Sequence, residues 1–233
     1  MIRQLMKSRR KFILVDVNTQ KDYLLANGNA RIRNHRRVLA NIRRILAWAR
    51  MKHIPVISIS DIYPDNNGFS EEHFCIEGTE GQKKIHYTLL RNRLSLPADG
   101  FNNLPINIMH QYRQVIFHKR GKDPFEEPII ERLLSEVQAG QFILIGADTE
   151  GAVKATALGL LQRGKKIAVV IDAVGSKQKK EAEMALRKMK AKGARLIETK
   201  KIAGSTHLRC VGVCDCKACR GNTRKTPVEI TAK

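Results

Sequence analysis

The chain has 233 residues, 42% of them hydrophobic, and a formal net charge of +21. That length and apolar content support one large domain, or one domain with an appendage, and no apolar run reaches the roughly 18 residues of a membrane span. The basic start, MIRQLMKSRRKF, leads into an apolar run that is short and ends at Asp16. It therefore reads as a first strand rather than a secretory leader, and a cytoplasmic location is the default expectation.

In chain order, strands are expected at 12–16, 55–60, 114–118, 141–146, 166–171 and 195–198. Helices are expected at 32–52, 127–138, 151–163 and 178–192. Apolar strand runs alternating with amphipathic helices predict an α/β fold: a three-layer, doubly wound, mainly parallel six-stranded sheet covered on both faces. Its site then belongs at the strand C-termini. The segment 61–111 carries the turn signals PDNNG and LPADG and reads as loops over the strand ends. Residues 1–202 form the expected α/β domain, and 203–233, without strand or helix period, form a basic, cysteine-rich tail.

The charge is unevenly placed. Residues 1–50 hold 13 Lys and Arg against 2 Asp and Glu, and residues 177–201 hold 10 against 3, whereas 51–176 hold 14 against 15. In the first long helix, Val38, Leu39, Ile42, Ile45, Leu46 and Ala49 fall within an arc of about 120°, and Arg33, Arg36, Arg37, Arg43, Arg44 and Arg50 within an adjoining arc of about 140°. One side packs on the sheet and the other presents guanidinium groups. Such a surface suits nucleic acid or an acidic protein; a solvated basic face is the bland alternative, and aromatic residues, at 5%, form no legible stacking platform.

Residues 142–176 read FILIGADTEGAVKATALGLLQRGKKIAVVIDAVGS. A strand ending in a tight turn at a helix start can aim a nucleophile at a substrate and hold an oxyanion on backbone amides. Here the helix starts around Gly151-Ala152-Val153, and a methyl group cannot attack. Two further segments share this context. FILVDVNTQKDY supplies Asp16, Gln20, Asp22 and Tyr23, and VIFHKRGKDPF supplies Lys119, Asp123 and Phe125. With Gly146, Thr149, Glu150, Ala152 and Val153, these three ordered motifs resemble those of the isochorismatase-like cysteine hydrolases, which include nicotinamidases.

The resemblance, which runs from about residue 12 to 202, implies Asp16 as the base, Lys119 as the supporting cation, and Ala152 in the place of the nucleophilic cysteine. Without a thiol between them, Asp16 and Lys119 are expected to pair as ions. Thr149, Ser58, Ser60 and Cys75 are the candidate substitute nucleophiles. Nicotinamidase-type relatives bind a metal through Asp-x-His after strand two. This chain has Asp61-Ile62-Tyr63, and His73 is separated from Cys75 by Phe74, so no metal or other cofactor is expected in the α/β domain.

In the tail, Cys210, Cys214, Cys216 and Cys219 fall within CVGVCDCKAC, with His207 upstream. Their spacing suits one tetrahedral zinc ion; redox-active thiols and unliganded cysteines are the alternatives. The expected function is a binding or regulatory pseudoenzyme that keeps a small-ligand pocket, engages an anionic partner and, as the resemblance implies, assembles as a homo-oligomer. The alternative is a working hydrolase of a small amide or isochorismate-like substrate, using Asp16 and Lys119 with water or a substitute nucleophile.

Overall fold

The computed structural model describes residues 10–65 and 73–204. The tail cysteines and His207 lie outside the described residues. Seven strands form one sheet: β1 (Arg10–Val17), β2 (Val56–Asp61), β3 (Arg93–Leu96), β4 (Gln114–Lys119), β5 (Ala139–Ala147), β6 (Ile167–Gly175) and β7 (Arg195–Ile197). The helices are α1 (Lys21–Leu24), α2 (His35–Met51), α3 (Ile108–Gln111), α4 (Pro128–Glu136), α5 (Lys154–Gln162), α6 (Lys179–Ala191) and α7 (Thr199–Ala203).

The strand order is β3-β4-β2-β1-β5-β6-β7, and every pairing is parallel. The expected doubly wound parallel sheet is present, with one correction. Among the described residues it has seven strands rather than six. The additional strand, β3, pairs Arg93 with Gln114 through to Leu96 with Phe117 at the sheet edge. It lies inside the 61–111 segment that read as loops.

β1 sits at the centre because its apolar run can be buried on both faces. Ile13, Val15 and Val17 pack with Leu133, Leu134, Leu160 and Met189 from α4, α5 and α6. Leu14 points the other way and packs with Ile42, Ile45 and Leu46 of α2. On α2 the buried residues are Val38, Asn41, Ile42, Ile45, Leu46 and Ala49, close to the expected apolar arc. The helix starts at His35, so Arg33 precedes it, and Leu39 is only half-buried. Arg44 donates to the Gly204 carbonyl and Arg50 to that of Tyr87, which ties down two of the six arginines.

The chain winds from β1 towards β3 on one side and from β5 towards β7 on the other. Winding direction therefore reverses between β1 and β5, and a crevice opens at their C-terminal ends.

Candidate functional site

The crevice is a cavity of about 130 Å³ at the strand C-termini. Each wall residue follows from where a strand ends. Asn18 comes directly after β1, Asp61 is the last residue of β2, and Lys119 is the last of β4. Asp148 and Ala152 come from the turn after β5, and Lys177 follows β6. Tyr23 of α1, with Tyr63 and Phe74, forms an aromatic side. Phe74 meets both tyrosines edge-on, with ring centroids 5.4 Å apart in each case. The Lys177 ammonium sits 4.6 Å from the Phe74 centroid, a cation–π distance.

The electrostatic centre is the buried pair of Lys119 and Asp61. Lys119 also donates to the Gly121 carbonyl at 2.7 Å. Asp61 accepts from the Tyr23 hydroxyl and from the Asn18 side-chain amide. The Gln20 side chain holds the Asp61 backbone in place, accepting from its N–H at 2.9 Å and donating to its carbonyl at 2.7 Å. Burial, and then the charges of Asp61 and Asp148, push the Tyr23 hydroxyl well above its ordinary pKa, so it remains a donor.

Asp16 is not in the cavity wall. It lies on the α2 face of β1, fully buried, and pairs with Lys84 at 2.9 Å while accepting from the Ser58 hydroxyl at 3.0 Å. The expected Asp16–Lys119 pair is thus replaced by two separate pairs, Asp16 with Lys84 and Asp61 with Lys119. The physical reason is side-chain alternation: Asp16 follows Leu14 onto one face, whereas Asn18, at φ 49°, turns off the strand end towards Lys119. Asp22 serves the loops, accepting from the backbone N–H groups of Cys75 and Asn29 at 2.7 and 3.1 Å.

The turn after β5 brings Ala152 to the cavity, 2% exposed. Its N–H is not directed at a ligand; it donates to Asp148 Oδ1 at 2.8 Å, and the Val153 N–H donates to the Asp148 carbonyl. Gly151 permits that closure, since a Cβ there would lie 2.5 Å from the Asp148 carboxylate. The other candidate nucleophiles are held elsewhere. Thr149 donates its hydroxyl to the Gly175 carbonyl at 2.8 Å, and Ser58 donates to Asp16. The Ser60 hydroxyl is buried outside the cavity wall. Cys75 is fully buried, and burial followed by the charges of Asp61 and Asp22 raises its thiol pKa far beyond the ordinary range.

The donors do not fit the metal of nicotinamidase-type relatives. Asp61 is committed to Lys119, Tyr23 and Asn18, and Tyr63 stands where the histidine would. Among the described residues no group of three or more His, Cys, Asp or Glu side chains is placed to hold a metal ion.

The model of the isochorismatase domain family matches residues 12–201. The chain belongs to the isochorismatase family. Solved structures share the isochorismatase fold at low identity. A nicotinamidase/pyrazinamidase from Bacillus subtilis is 21% identical with a TM-score of 0.64, covering 81% of this chain and 100% of that one. The zinc complex of a Pyrococcus horikoshii pyrazinamidase is 20% identical, TM-score 0.63, covering 81% and 99%. A Caenorhabditis elegans protein, MAR1 ribonuclease, is 22% identical, TM-score 0.58, covering 84% and 83%. No curated protein matches the chain in sequence. No helix among the described residues is long and apolar enough to cross a membrane.

Within this isochorismatase domain, sequence reasoning placed Lys119 and Ala152 at the strand ends that bound the cavity. It missed Asn18, Asp148 and Lys177 in the wall and Lys84 beside Asp16. Asn18 had a usable signal, because a polar residue directly after a buried apolar strand must find a partner. Lys84 had none, since its contact spans 68 residues.

Proposed function

We propose that this isochorismatase-family chain has lost thiol-dependent hydrolysis and works as a binding or regulatory protein with an anionic partner. The observation that carries the reading is the set Asn18, Lys119 and Ala152 around one cavity. The resemblance calls for a base, a cation and a thiol; the cavity wall holds the Asn18 amide, the Lys119 ammonium already paired with Asp61, and the Ala152 methyl group, while Asp16, the residue the resemblance implies as base, pairs with Lys84. A carboxamide does not accept a proton at neutral pH, and a methyl group forms no acyl-enzyme. The alternative of water activated by Asp16 and Lys119 meets the engagement of Asp16 by Lys84, outside the cavity wall.

What remains suits recognition. The cavity keeps room for a small ligand, with aromatic rings on one side and the ammonium groups of Lys119, Lys122 and Lys177 in its wall. The net charge of +21 favours a polyanion over the surface. One structural neighbour is a ribonuclease, so the fold occurs in a protein named for RNA chemistry. The amidase neighbours support the hydrolase alternative by fold alone.

The test compares the parent with Ala152→Cys and with Asn18→Asp/Ala152→Cys, using nicotinamide and pyrazinamide as substrates and iodoacetamide with peptide mapping at position 152. The parent is expected to show no turnover. Ala152→Cys is expected to gain alkylation at position 152, and adding Asn18→Asp to slow it at pH 7, because a carboxylate beside a thiol raises its pKa as Asp61 and Asp22 do at Cys75. Turnover by the parent that disappears in Lys119→Ala would sink the reading.

A further inference from the structure

A parallel sheet brings the start of every strand to the same end of the molecule, and in this chain five of the seven starts carry cations. Arg10 and Lys11 open β1, Arg93 opens β3, Arg113 precedes β4, Lys165 and Lys166 precede β6, and Arg195 opens β7. Several are committed to carbonyls: Arg10 donates to Met109, Arg93 to Leu90, and Lys165 to Ser135 and Val137. Lys11, Lys166 and Arg195 are exposed, and none of the three joins an ion pair among the described residues.

These three side chains surround an open groove of about 640 Å³. Phe12 is the aromatic member of its wall and Gln141 a neutral hydrogen-bonding one, and no acidic residue lines it. Gly193 leaves the backbone uncovered, since an added Cβ there would meet nothing nearer than Leu161 at 3.8 Å, whereas Gly140 packs against the Lys11 carbonyl. Glu131 and Glu136, on α4 nearby, are each paired with an arginine. The groove lies at the strand starts, a β1 length of roughly 25 Å from the cavity at the strand ends.

We propose that this groove binds a single-stranded nucleic acid through its phosphodiester backbone. The inference rests on the anionic-partner reading and gives it a place and a chemistry. Three cations outside any ion pair around an open groove match closely spaced phosphates, and Phe12, half-buried with the Lys11 ammonium 5.5 Å from its centroid, is the one aromatic contact for an unpaired base. An acidic protein presents carboxylates at irregular spacing and needs no aromatic wall. The arginines of α2 lie along one helix and are not among the residues that line this groove.

Fluorescein-labelled U12 and dT12 are titrated with the full-length chain at several salt concentrations. Three proteins are compared: the parent, Lys11→Gln/Lys166→Gln/Arg195→Gln, and Arg36→Gln/Arg37→Gln/Arg43→Gln, which removes the same charge from α2. The groove variant is expected to bind both oligonucleotides about tenfold or more weakly, with a log–log salt slope shallower by about 2, the loss of three single-strand phosphate contacts. The α2 variant should change affinity less than about threefold, and melting curves confirm that all three fold. On the parent, U12 should protect Lys11 and Lys166 from acetylation. Equal losses in both variants, or no protection, would overturn the groove. Displacement of U12 by polyglutamate at equal charge concentration would overturn nucleic acid as the ligand. If the parent binds neither oligonucleotide, the groove assignment falls and the anionic-partner reading loses its main candidate; if it binds and only the α2 variant weakens, the groove alone falls.

Discussion

At the scale of single residues, Lys119 and Asp61 show how a buried charge depends on its partner. Lys119 is 1% exposed and Asp61 2%. A buried ion pair adds little over an apolar pair, yet removing one partner strands the other charge at about 3–5 kcal/mol. Lys119→Met is therefore expected to lower unfolding stability by about 3–5 kcal/mol, read from urea denaturation. Lys119→Met with Asp61→Asn should lose clearly less, since the carboxylate that needs the ammonium is gone. Equal losses would mean that packing rather than charge holds Lys119 in place. Ala152 could be singled out in the sequence because it sits in an ordered motif. Its companion, Asn18, could not, because the direction of a side chain at a strand end depends on the loop beyond it.

At the scale of elements, packing overrides propensity at α5. Glycine in a helix interior costs about 1 kcal/mol relative to alanine, so Gly159→Ala would ordinarily stabilise. Here the added Cβ would lie 2.1 Å from the Phe125 ring, and that ring also carries the Arg163 guanidinium 4.0 Å from its centroid. The substitution is expected to destabilise by a net 1–3 kcal/mol, the usual cost of overpacking, visible as a lower melting temperature. A higher one would show that Phe125 moves aside freely. The long helices were readable within a few residues because their apolar spacing is local. β3 was not: RLSL at 93–96 alternates exposed and half-buried residues over only four positions. Its strand character comes from a single neighbour, β4.

For the whole molecule, the decisive quantity is charge. Self-repulsion at +21 opposes compactness, while the exposed ion pairs that salt would weaken contribute little each. The two buried pairs, Asp16–Lys84 and Asp61–Lys119, are largely shielded from salt. Screening should therefore help more than it harms. Raising KCl from about 20 to about 150 mM is expected to raise Tm by about 2–4 °C, equivalent to roughly 1 kcal/mol for a chain of this size. An unchanged or falling Tm would show that favourable surface pairs dominate instead.

The order of apolar runs, helical periods and turn residues was enough to determine the doubly wound α/β architecture and to put Lys119 and Ala152 at strand C-termini. Each of these is written in short-range spacing. Tertiary structure decided which charges meet. It sent Asp16 to Lys84 and Lys119 to Asp61, brought Asn18 to the cavity, and turned the Ala152 amide towards Asp148. It also gathered cations separated by up to 185 positions along the chain, from Arg10 to Arg195, at one end of the sheet. Those outcomes depend on parallel strand order and on loops returning from distant segments, and neither is encoded in any local run of residues.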